Sequence, residues 1–337
     1  ALVRYAEFFD LERDPEGCHL YDVVNQAETG QEYMSRYQAV DPTADQWGPL
    51  RLKGVDATVY VYELQRTLDW LAGVLGKNAD VAHWRQQAAA TRQAVLQSMW
   101  DPGLELFTDV DPQSGNRTGV KCAAGFYPFM TDIAGAQHLA ALRRHLFDPG
   151  EFWTAYPVPA TSADDAYFNA EAEWKGKRQS CPWNGRVWPM TNSHVCEALA
   201  RASQTLDPTL KPRAAELIQR FVRMMFFDGD PGRPNCFEHY NPLTGHPSTY
   251  RGIDDYQHSW VVDLLVRYLA GLQPVLDGSL VIDPLPFDLA AFQLDNVTVR
   301  GHAAAVRWNE ETGFEVFLDG RKVHQSAQRQ RIELRLG

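Results

Sequence analysis

The chain has 337 residues, of which 43 are acidic and 32 are basic, so its formal net charge is −11. This balance, without a cluster of lysine and arginine, argues against nucleic acid and anionic membranes as partners. Apolar residues make up 45% of the chain, enough for a large core, and no stretch approaches the roughly 18 apolar residues of a membrane span. We therefore expect a soluble globular protein, with a cytoplasmic location favoured.

Five cysteines are scattered along the chain and none forms a Cys-x-x-Cys pair. Their odd number and wide spacing argue against a disulfide framework and a structural zinc site, so we expect buried thiols. The sequence predicts no metal site and no cofactor. It leaves the oligomeric state open.

Helical periodicity alternates with long loops through the first three quarters of the chain. A helix over residues 1–13 ends at a break over residues 14–17, and longer helices are expected at Val55–Leu75 and Val81–Met99. The short link between these two predicts an antiparallel hairpin. Further helices are expected over residues 132–147, 192–206, 212–226 and 254–272.

The loops between these helices carry most of the candidate chemistry. The first loop contains Glu28 and Glu32, and the second, over residues 100–131, contains expected hairpin turns near Asp101 and Asp111. The third spans residues 148–189 and holds four of the ten tryptophans. A structureless loop of that length inside a compact domain is normally functional.

Beyond Pro274 the apolar pattern changes to a period of two. Strands are expected over residues 279–283, 292–300, 302–308, 314–318 and 331–336. We therefore predict two domains, a helical domain over residues 1–274 and a small β appendage over residues 275–337 packed on it. The recurring order of helix, long loop and helix predicts hairpins arranged as a ring or a solenoid.

Carboxylates in separate loops suggest acid and base chemistry if the helices close into a ring. Glu28 and Glu32 lie in the first loop, and Glu238 lies in a loop ahead of the last helix. Glycoside hydrolysis needs one carboxylic acid to protonate the leaving oxygen and one carboxylate to activate a water molecule. Tryptophan rings offer flat apolar faces to sugars, although core packing is the alternative interpretation for each ring.

Three segments, in this order, resemble successive motifs of the (α/α)6-barrel glycosidases around glycoside hydrolase family 63. We call Gly30–Tyr37 the first motif, Pro182–Pro189 the second and Phe237–Gly245 the third. The resemblance implies a mainly α, (α/α)6 toroid with the small β appendage. It also implies inverting hydrolysis of an α-linked glucoside- or mannoside-type oligosaccharide or small glycoside, with Glu32 as the acid and Glu238 as the base.

The resemblance and the neighbouring residues together give a set of expected substrate-binding residues. These are Glu28, Arg36, Trp47, Trp183, Asn184, Arg186, Trp188, His239, Tyr240 and His258. Among the departures from the family motifs, Glu32 stands for Asp, Asn184 for Arg and Arg186 for Pro. Glu28 therefore remains an alternative acid, and the identity of the sugar stays open.

About seven helices are counted, whereas the barrel of the family has twelve. We expect the chain to be the C-terminal part of a longer protein or a family member shortened at its N-terminus. Two other functions stay open. One is a sugar epimerase or isomerase that uses a pair of histidines from His194, His239, His246 and His258, and the other is a non-catalytic carbohydrate-binding protein.

Overall fold

The computed structural model of the protein describes residues 1–173, 181–226, 230–248 and 259–336. Two compact units are present. The first unit contains Ala1–Ala198 and Met224–His258, and the second contains Leu199–Arg223 and Ser259–Gly337. The predicted domain boundary after residue 274 stays a prediction.

The first unit is mainly helical, and the second combines helices with two sheets. The helices are α1 (Leu2–Glu12), α2 (Ser35–Gln38), α3 (Val55–Val74), α4 (Asn78–Ala94), α5 (Pro189–Thr205), α6 (Lys211–Met224) and α7 (Val261–Leu264). Shorter 3-10 turns lie at Gln26–Glu28, Ala123–Met130, Ala136–His138, Pro182–Asn184 and Pro208–Leu210, and π-helical turns at Val95–Met99, Ala141–Leu146 and Leu265–Leu269. The mainly helical class with a small β region is confirmed, whereas closure into an (α/α)6 ring stays a prediction. Across the described ranges, no helix is long and apolar enough to span a bilayer.

Most predicted helices are confirmed, but the α-helix expected over residues 132–147 is wrong in type and length. Only the 3-10 turn Ala136–His138 and the π-helical turn Ala141–Leu146 form there. The Thr131 hydroxyl donates to the Pro128 carbonyl at 2.9 Å and accepts from the Ile133 N–H at 3.0 Å. Such local bonds compete with the helical ladder at its first turn. Of the helix expected over residues 254–272, the described part consists of Val261–Leu264 and the π-helical turn Leu265–Leu269, and a strand begins at Leu272. Residues 249–258 lie outside the described ranges.

Helices α3 and α4 form the expected antiparallel hairpin. Gln65 bonds to Thr91 at 2.9 Å, and Asp69 pairs with Arg85 at 3.3 Å, so residues later in α3 meet residues earlier in α4. The Lys77 N–H closes the end of α3 on the Ala72 carbonyl at 2.9 Å. A buried cluster drawn from α1, α3 and α4 holds the three helices together, namely Ala6, Leu68 and Trp84.

Two short antiparallel strand pairs position the loops of the first unit. Strand β1 (Asp22–Val23) pairs with β2 (Leu52–Lys53), and β3 (Trp100–Asp101) pairs with β4 (Leu106–Phe107). The second pair confirms the hairpin turn expected near Asp101. Because α3 begins two residues after β2, the first pair fixes the start of α3 beside the chain that leads into the first motif.

The second unit contains two antiparallel sheets in the strand orders β10-β9-β8-β7 and β11-β6-β5. Their strands are β5 (Leu272–Pro274), β6 (Ser279–Ile282), β7 (Ala291–Val299), β8 (His302–Asn309), β9 (Gly313–Leu318), β10 (Arg321–Ser326) and β11 (Ile332–Arg335). Buried residues of both sheets share one core cluster that includes Leu280, Ile282, Val306 and Phe314. The sheets therefore pack face to face, as alternating apolar residues require.

Two of these strands escaped prediction. Strand β10 lies at the edge of its sheet, and its exposed, mostly polar residues give no apolar alternation. Strand β5 has three residues and follows a helical segment directly. Strands this short, or this exposed, lack the periodic signal on which sequence prediction depends.

Replacing Gly271 by alanine should destabilise the protein much more than the same change at Gly301. Both glycines have left-handed backbones, with φ of +80° and +85°. A Cβ at Gly271 would lie 2.4 Å from the Pro284 nitrogen, whereas at Gly301 it would meet nothing within 4 Å. We expect a cost of about 1 kcal/mol at Gly301 from the backbone alone, and about 1–3 kcal/mol more at Gly271. Equal unfolding midpoints in thermal denaturation would contradict this packing.

Candidate active site

The first motif forms a tight turn that leads into α2. Tyr33 has a φ of +59°, an uncommon backbone conformation for an aromatic residue. Its N–H donates to the Gln26 side-chain oxygen at 2.5 Å. Glu32, just before it, is half-buried. A strained residue held by a buried amide fixes the direction of the chain at Glu32.

The second motif binds the backbone of the first motif through side chains. The Asn184 side-chain oxygen accepts from the Ser35 N–H at 2.8 Å, and its NH2 group donates to the Tyr33 carbonyl at 3.0 Å. The thiol of the adjacent Cys181 donates to the Glu32 carbonyl at 2.8 Å. Burial raises the pKa of Cys181 to about 12, so the thiol keeps its proton at neutral pH. The backbone at Glu32 is therefore held by hydrogen bonds to its own carbonyl and to the backbone of Tyr33 and Ser35.

The second motif also binds the third. Val187 and Tyr240 exchange two backbone hydrogen bonds, of 2.8 and 2.9 Å. The Arg186 Nε–H donates to the His239 Nδ1 atom at 3.1 Å, and the Trp188 ring centroid lies 4.8 Å from that of His239. All three motifs thus meet through residues 181–188, which lie within the first unit.

The third motif holds Glu238 in a buried position. The side chain of Asn241 accepts from the Leu243 and Thr244 N–H groups at 2.8 and 3.2 Å, which forms the turn that the sequence predicts. Its NH2 group donates to Glu171 at 2.7 Å. Glu238 is only 8% exposed. This burial contrasts with the simplest interpretation of such a loop, a solvated carboxylate beside a turn.

The predicted tryptophans occupy different environments. Trp183 and Trp188 stack with ring centroids 3.6 Å apart and planes at 4°, and both are buried. Trp47 is 73% exposed. Trp174 and the predicted binding residue His258 lie outside the described residues. A substrate role for these side chains stays a prediction.

Glu28 lies in a 3-10 turn, where its carboxylate is already bonded. It pairs with Arg13 at 2.6 Å and accepts from the Val24 N–H at 3.0 Å. Glu28 and Gln31 line a cavity of about 510 Å³ whose remaining wall comes largely from apolar residues of α1 and α3. Gln31, which precedes Glu32 in sequence, is thus part of the wall of this cavity.

Arg36 is fully buried between two carboxylates that the sequence analysis did not select. It pairs with Asp56 at 2.7 Å and with Asp109 at 2.7 Å. Its third acceptor is the Gln31 side-chain oxygen, at 3.3 Å. The sequence could indicate these partners only indirectly. A buried arginine requires acidic partners, but the sequence does not show which acidic residues lie near it.

His194, a candidate for histidine chemistry, is buried beside two tyrosines. Its Nδ1 atom contacts the Met190 carbonyl at 2.9 Å, and its Nε2 atom contacts the Tyr60 hydroxyl at 2.8 Å. Tyr127 stacks on the imidazole ring at 4.5 Å. Burial lowers the pKa of His194 to about 4, so the ring is neutral at physiological pH.

One group of potential metal ligands occurs among the described residues, formed by Asp14, Glu16 and Cys18. The Lys53 ammonium lies 3.5 Å from Asp14 and 2.9 Å from Glu16. A cation of the protein itself thus lies beside these carboxylates, and the group has the character of an ion-pair cluster.

A family described as the mannosylglycerate hydrolase MGH1-like glycoside hydrolase domain matches residues 1–259. The chain belongs to this family. The resemblance of the three motifs to family 63 glycosidases is thereby confirmed.

The individual relatives that the chain matches have low sequence identity to it. Mannosylglycerate hydrolase MGH2 of Selaginella moellendorffii is 27% identical over 199 residues, which are 58% of this chain and 36% of that protein. The chain thus spans little more than a third of the curated relatives that it matches.

Solved structures also share the fold. A structure titled sialidase is 19% identical with a TM-score of 0.85, over 98% of this chain and 30% of that one. The GH63 mannosylglycerate hydrolase from Thermus thermophilus in complex with glucose is 20% identical with a TM-score of 0.61, over 77% of this chain and 65% of that one.

Removing the Asn184 side chain should destabilise the protein. The change Asn184→Ala leaves the Ser35 N–H and the Tyr33 carbonyl buried without their present partner, at a cost of about 2–4 kcal/mol. Asn116→Ala, at an exposed turn, is the control and should change the free energy of unfolding by less than about 0.5 kcal/mol. Similar values from denaturant titration of both variants would refute the anchoring role of Asn184.

Acid should weaken the fold through His194. Its folded pKa of about 4 lies below the ordinary value of 6.5, so between these pH values the unfolded chain binds a proton that the folded chain does not, and stability falls as pH falls. The full effect is about 3 kcal/mol. Unfolding midpoints measured from pH 7 to pH 4 should therefore decline more steeply for the wild type than for His194→Gln. Parallel curves would contradict this account.

Proposed function

We propose that this protein is an inverting glycoside hydrolase that cleaves an α-linked glucoside or mannoside, with Glu32 as the acid and Glu238 as the base. The observation that carries the proposal is the attachment of both carboxylate-bearing motifs to residues 181–188. Asn184 binds the first motif on one side, and Val187 binds the third on the other. Membership of a glycoside hydrolase family supports the same reaction class.

The proposed reaction needs one proton donor and one proton acceptor. The Glu32 carboxylic acid gives its proton to the glycosidic oxygen as the bond to the anomeric carbon breaks. The Glu238 carboxylate takes a proton from a water molecule, whose oxygen attacks the anomeric carbon from the opposite face. The products are a free sugar of inverted configuration and the released alcohol. This mechanism requires carboxyl groups about 6.5–9.5 Å apart.

The surroundings of Glu238 suit a base that acts away from bulk water. Phe237 and His239, on either side, are 6% and 0% exposed. Arg186 donates to His239, which fixes the orientation of that imidazole next to Glu238. Exclusion of bulk water strengthens electrostatic interactions with the charge that develops during hydrolysis.

Glu32 fits the role of the acid better than Glu28. The Glu28 carboxylate is already occupied, since it accepts from Arg13 and from the Val24 N–H. Glu32 is half-buried in a segment whose backbone is fixed at three points by Cys181 and Asn184. The departures from the family motif also have contacts of their own, since Asn184 bonds the backbone and Arg186 donates to the Ala170 carbonyl at 2.9 Å.

The histidine-based alternative has less support from the described residues. His194 has both ring nitrogens engaged with Met190 and Tyr60. His239 is fully buried, whereas His246 is exposed. These three described histidines thus differ in burial, and His194 has partners at both ring nitrogens, which gives less support to a paired acid and base. Within the hydrolase class, the named relatives make mannosylglycerate the first substrate to test.

The variants Glu238→Gln and Glu32→Gln should lose activity while remaining folded. An amide cannot exchange the proton that each step requires, so kcat should fall by about 10²–10⁴-fold. The assay is monosaccharide release by the full-length protein from α-mannosides and α-glucosides, including mannosylglycerate and trehalose. Glu105→Gln, which alters a surface ion pair with Arg144, is the control and should retain activity.

Stereochemistry provides an independent check. Proton NMR at early reaction times should show the β-anomer as the first product from an α-linked substrate. Initial release of the α-anomer would rule out the inverting mechanism. Full activity of Glu238→Gln with loss of activity in His239→Ala would favour the histidine alternative.

A further inference from the structure

Every N–H donor of the Arg36 guanidinium bonds to another group of the protein. Its Nε and one Nη2 hydrogen donate to Asp109 at 2.9 and 2.7 Å. Its other Nη2 hydrogen and one Nη1 hydrogen donate to Asp56 at 2.8 and 2.7 Å. The fifth donates to Gln31 at 3.3 Å. A guanidinium has five N–H donors, so all of them are occupied and the predicted substrate contact through Arg36 has no donor to use.

The cluster is buried and carries more negative than positive charge. The side chains of Arg36 and Asp109 are 0% exposed, and that of Asp56 is 4% exposed. Burial raises the pKa of Asp109 and Asp56 adds to the effect, whereas Arg36 opposes it. For Asp56 burial is outweighed by Arg36, and its pKa lies below the ordinary value. Two carboxylates that share one arginine in a dry site depend strongly on its position.

This cluster ties the first motif to the framework of the first unit. Asp109 lies two residues after β4 and also accepts from the Val55 N–H, the first residue of α3, at 2.8 Å. Asp56 lies in the first turn of α3. The loop after β4 and the start of α3 thus both bind the Arg36 side chain. Helices and strands position functional groups more precisely than loops do.

The arginine reaches both sides of Glu32. Arg36 follows Glu32 by four residues, and Gln31, which accepts from Arg36, precedes it by one. The Met34 N–H donates to the Gln31 carbonyl at 3.3 Å and closes the same turn. The backbone that carries Glu32 is therefore held at both ends by one guanidinium.

We propose that Asp109 is a positioning residue that acts through Arg36 to aim Glu32 at the leaving oxygen. This inference rests on the proposed function, in which Glu32 is the proton donor. Asp109 itself touches no substrate, since it is completely buried behind Arg36. A displacement of the acid by about 1 Å is enough to cost a large factor in rate.

The test is a comparison of leaving groups in the full-length protein. Protonation matters for an alkyl glycoside, whose leaving alkoxide is poor, and matters little for a glycosyl fluoride, which departs without an acid. In Asp109→Asn we expect kcat on the alkyl α-glycoside to fall by about 30-fold and kcat on the α-glycosyl fluoride by less than about threefold. KM should change little for both substrates, because binding contacts are untouched.

Two reference variants make the result specific. Glu32→Gln should show the same split between leaving groups, in larger measure. Asp14→Asn removes another buried carboxylate of the first unit, one that accepts from the Cys18 and His19 N–H groups at 3.0 and 2.7 Å, and should show no split. If Asp109→Asn fails to fold, Arg36→Lys provides the second variant, because lysine keeps the charge but loses the two-pronged geometry.

Each outcome distinguishes the two proposals. An equal loss on both substrates in Asp109→Asn, or no loss, overturns the positioning role while a split in Glu32→Gln leaves the hydrolase proposal standing. Absence of a split in Glu32→Gln itself removes Glu32 as the acid and the positioning role with it. A wild type that cleaves neither substrate refutes the hydrolase proposal first.

Discussion

The attachment of residues 181–188 to two distant segments is the constraint on which the candidate site depends. On one side the Asn184 amide satisfies a buried N–H and a buried carbonyl of the first motif, and on the other Val187 pairs with Tyr240 as in a strand ladder. Each such bond contributes about 1 kcal/mol, but leaving its partners buried and unsatisfied costs more. The arrangement is therefore stable chiefly because separating the segments would leave these buried groups without hydrogen-bond partners.

The elements that sequence reasoning predicted correctly are those with a repeating apolar signal. Helix α3 buries Val61, Leu68 and Ala72 on one side, and its periodicity alone predicts its extent within one residue. The segment after Thr131 shows the opposite case, since one hydroxyl with two backbone bonds prevents a regular start. Strand β10 is formed by pairing with β9 and has almost no apolar pattern of its own.

The parts of the candidate site that consist of local sequence motifs could be predicted from the sequence. The turn of the third motif follows from residue types alone, and the three segments with their order follow from the resemblance to a known family. The partners of Arg36 do not, because Asp56 and Asp109 lie 20 and 73 residues further along the chain. The sequence predicts a substrate contact for Arg36, whereas its hydrogen bonds in the structure go to these two carboxylates and to Gln31. Polarity indicates that a residue needs a partner, and only the fold determines which partner it finds.

The contact of Asn184 with the first motif involves main-chain atoms only, the Ser35 N–H and the Tyr33 carbonyl. Every amino acid except proline offers the same N–H, and every one offers the same carbonyl. The hydrogen bonds of Asn184 consequently do not depend on which side chains occupy positions 33 and 35. A side chain that fits the buried space at these positions, and at position 33 the left-handed backbone, can therefore change while Asn184 still holds the turn, so such a departure from a family signature is compatible with an unaltered placement of the neighbouring carboxylate.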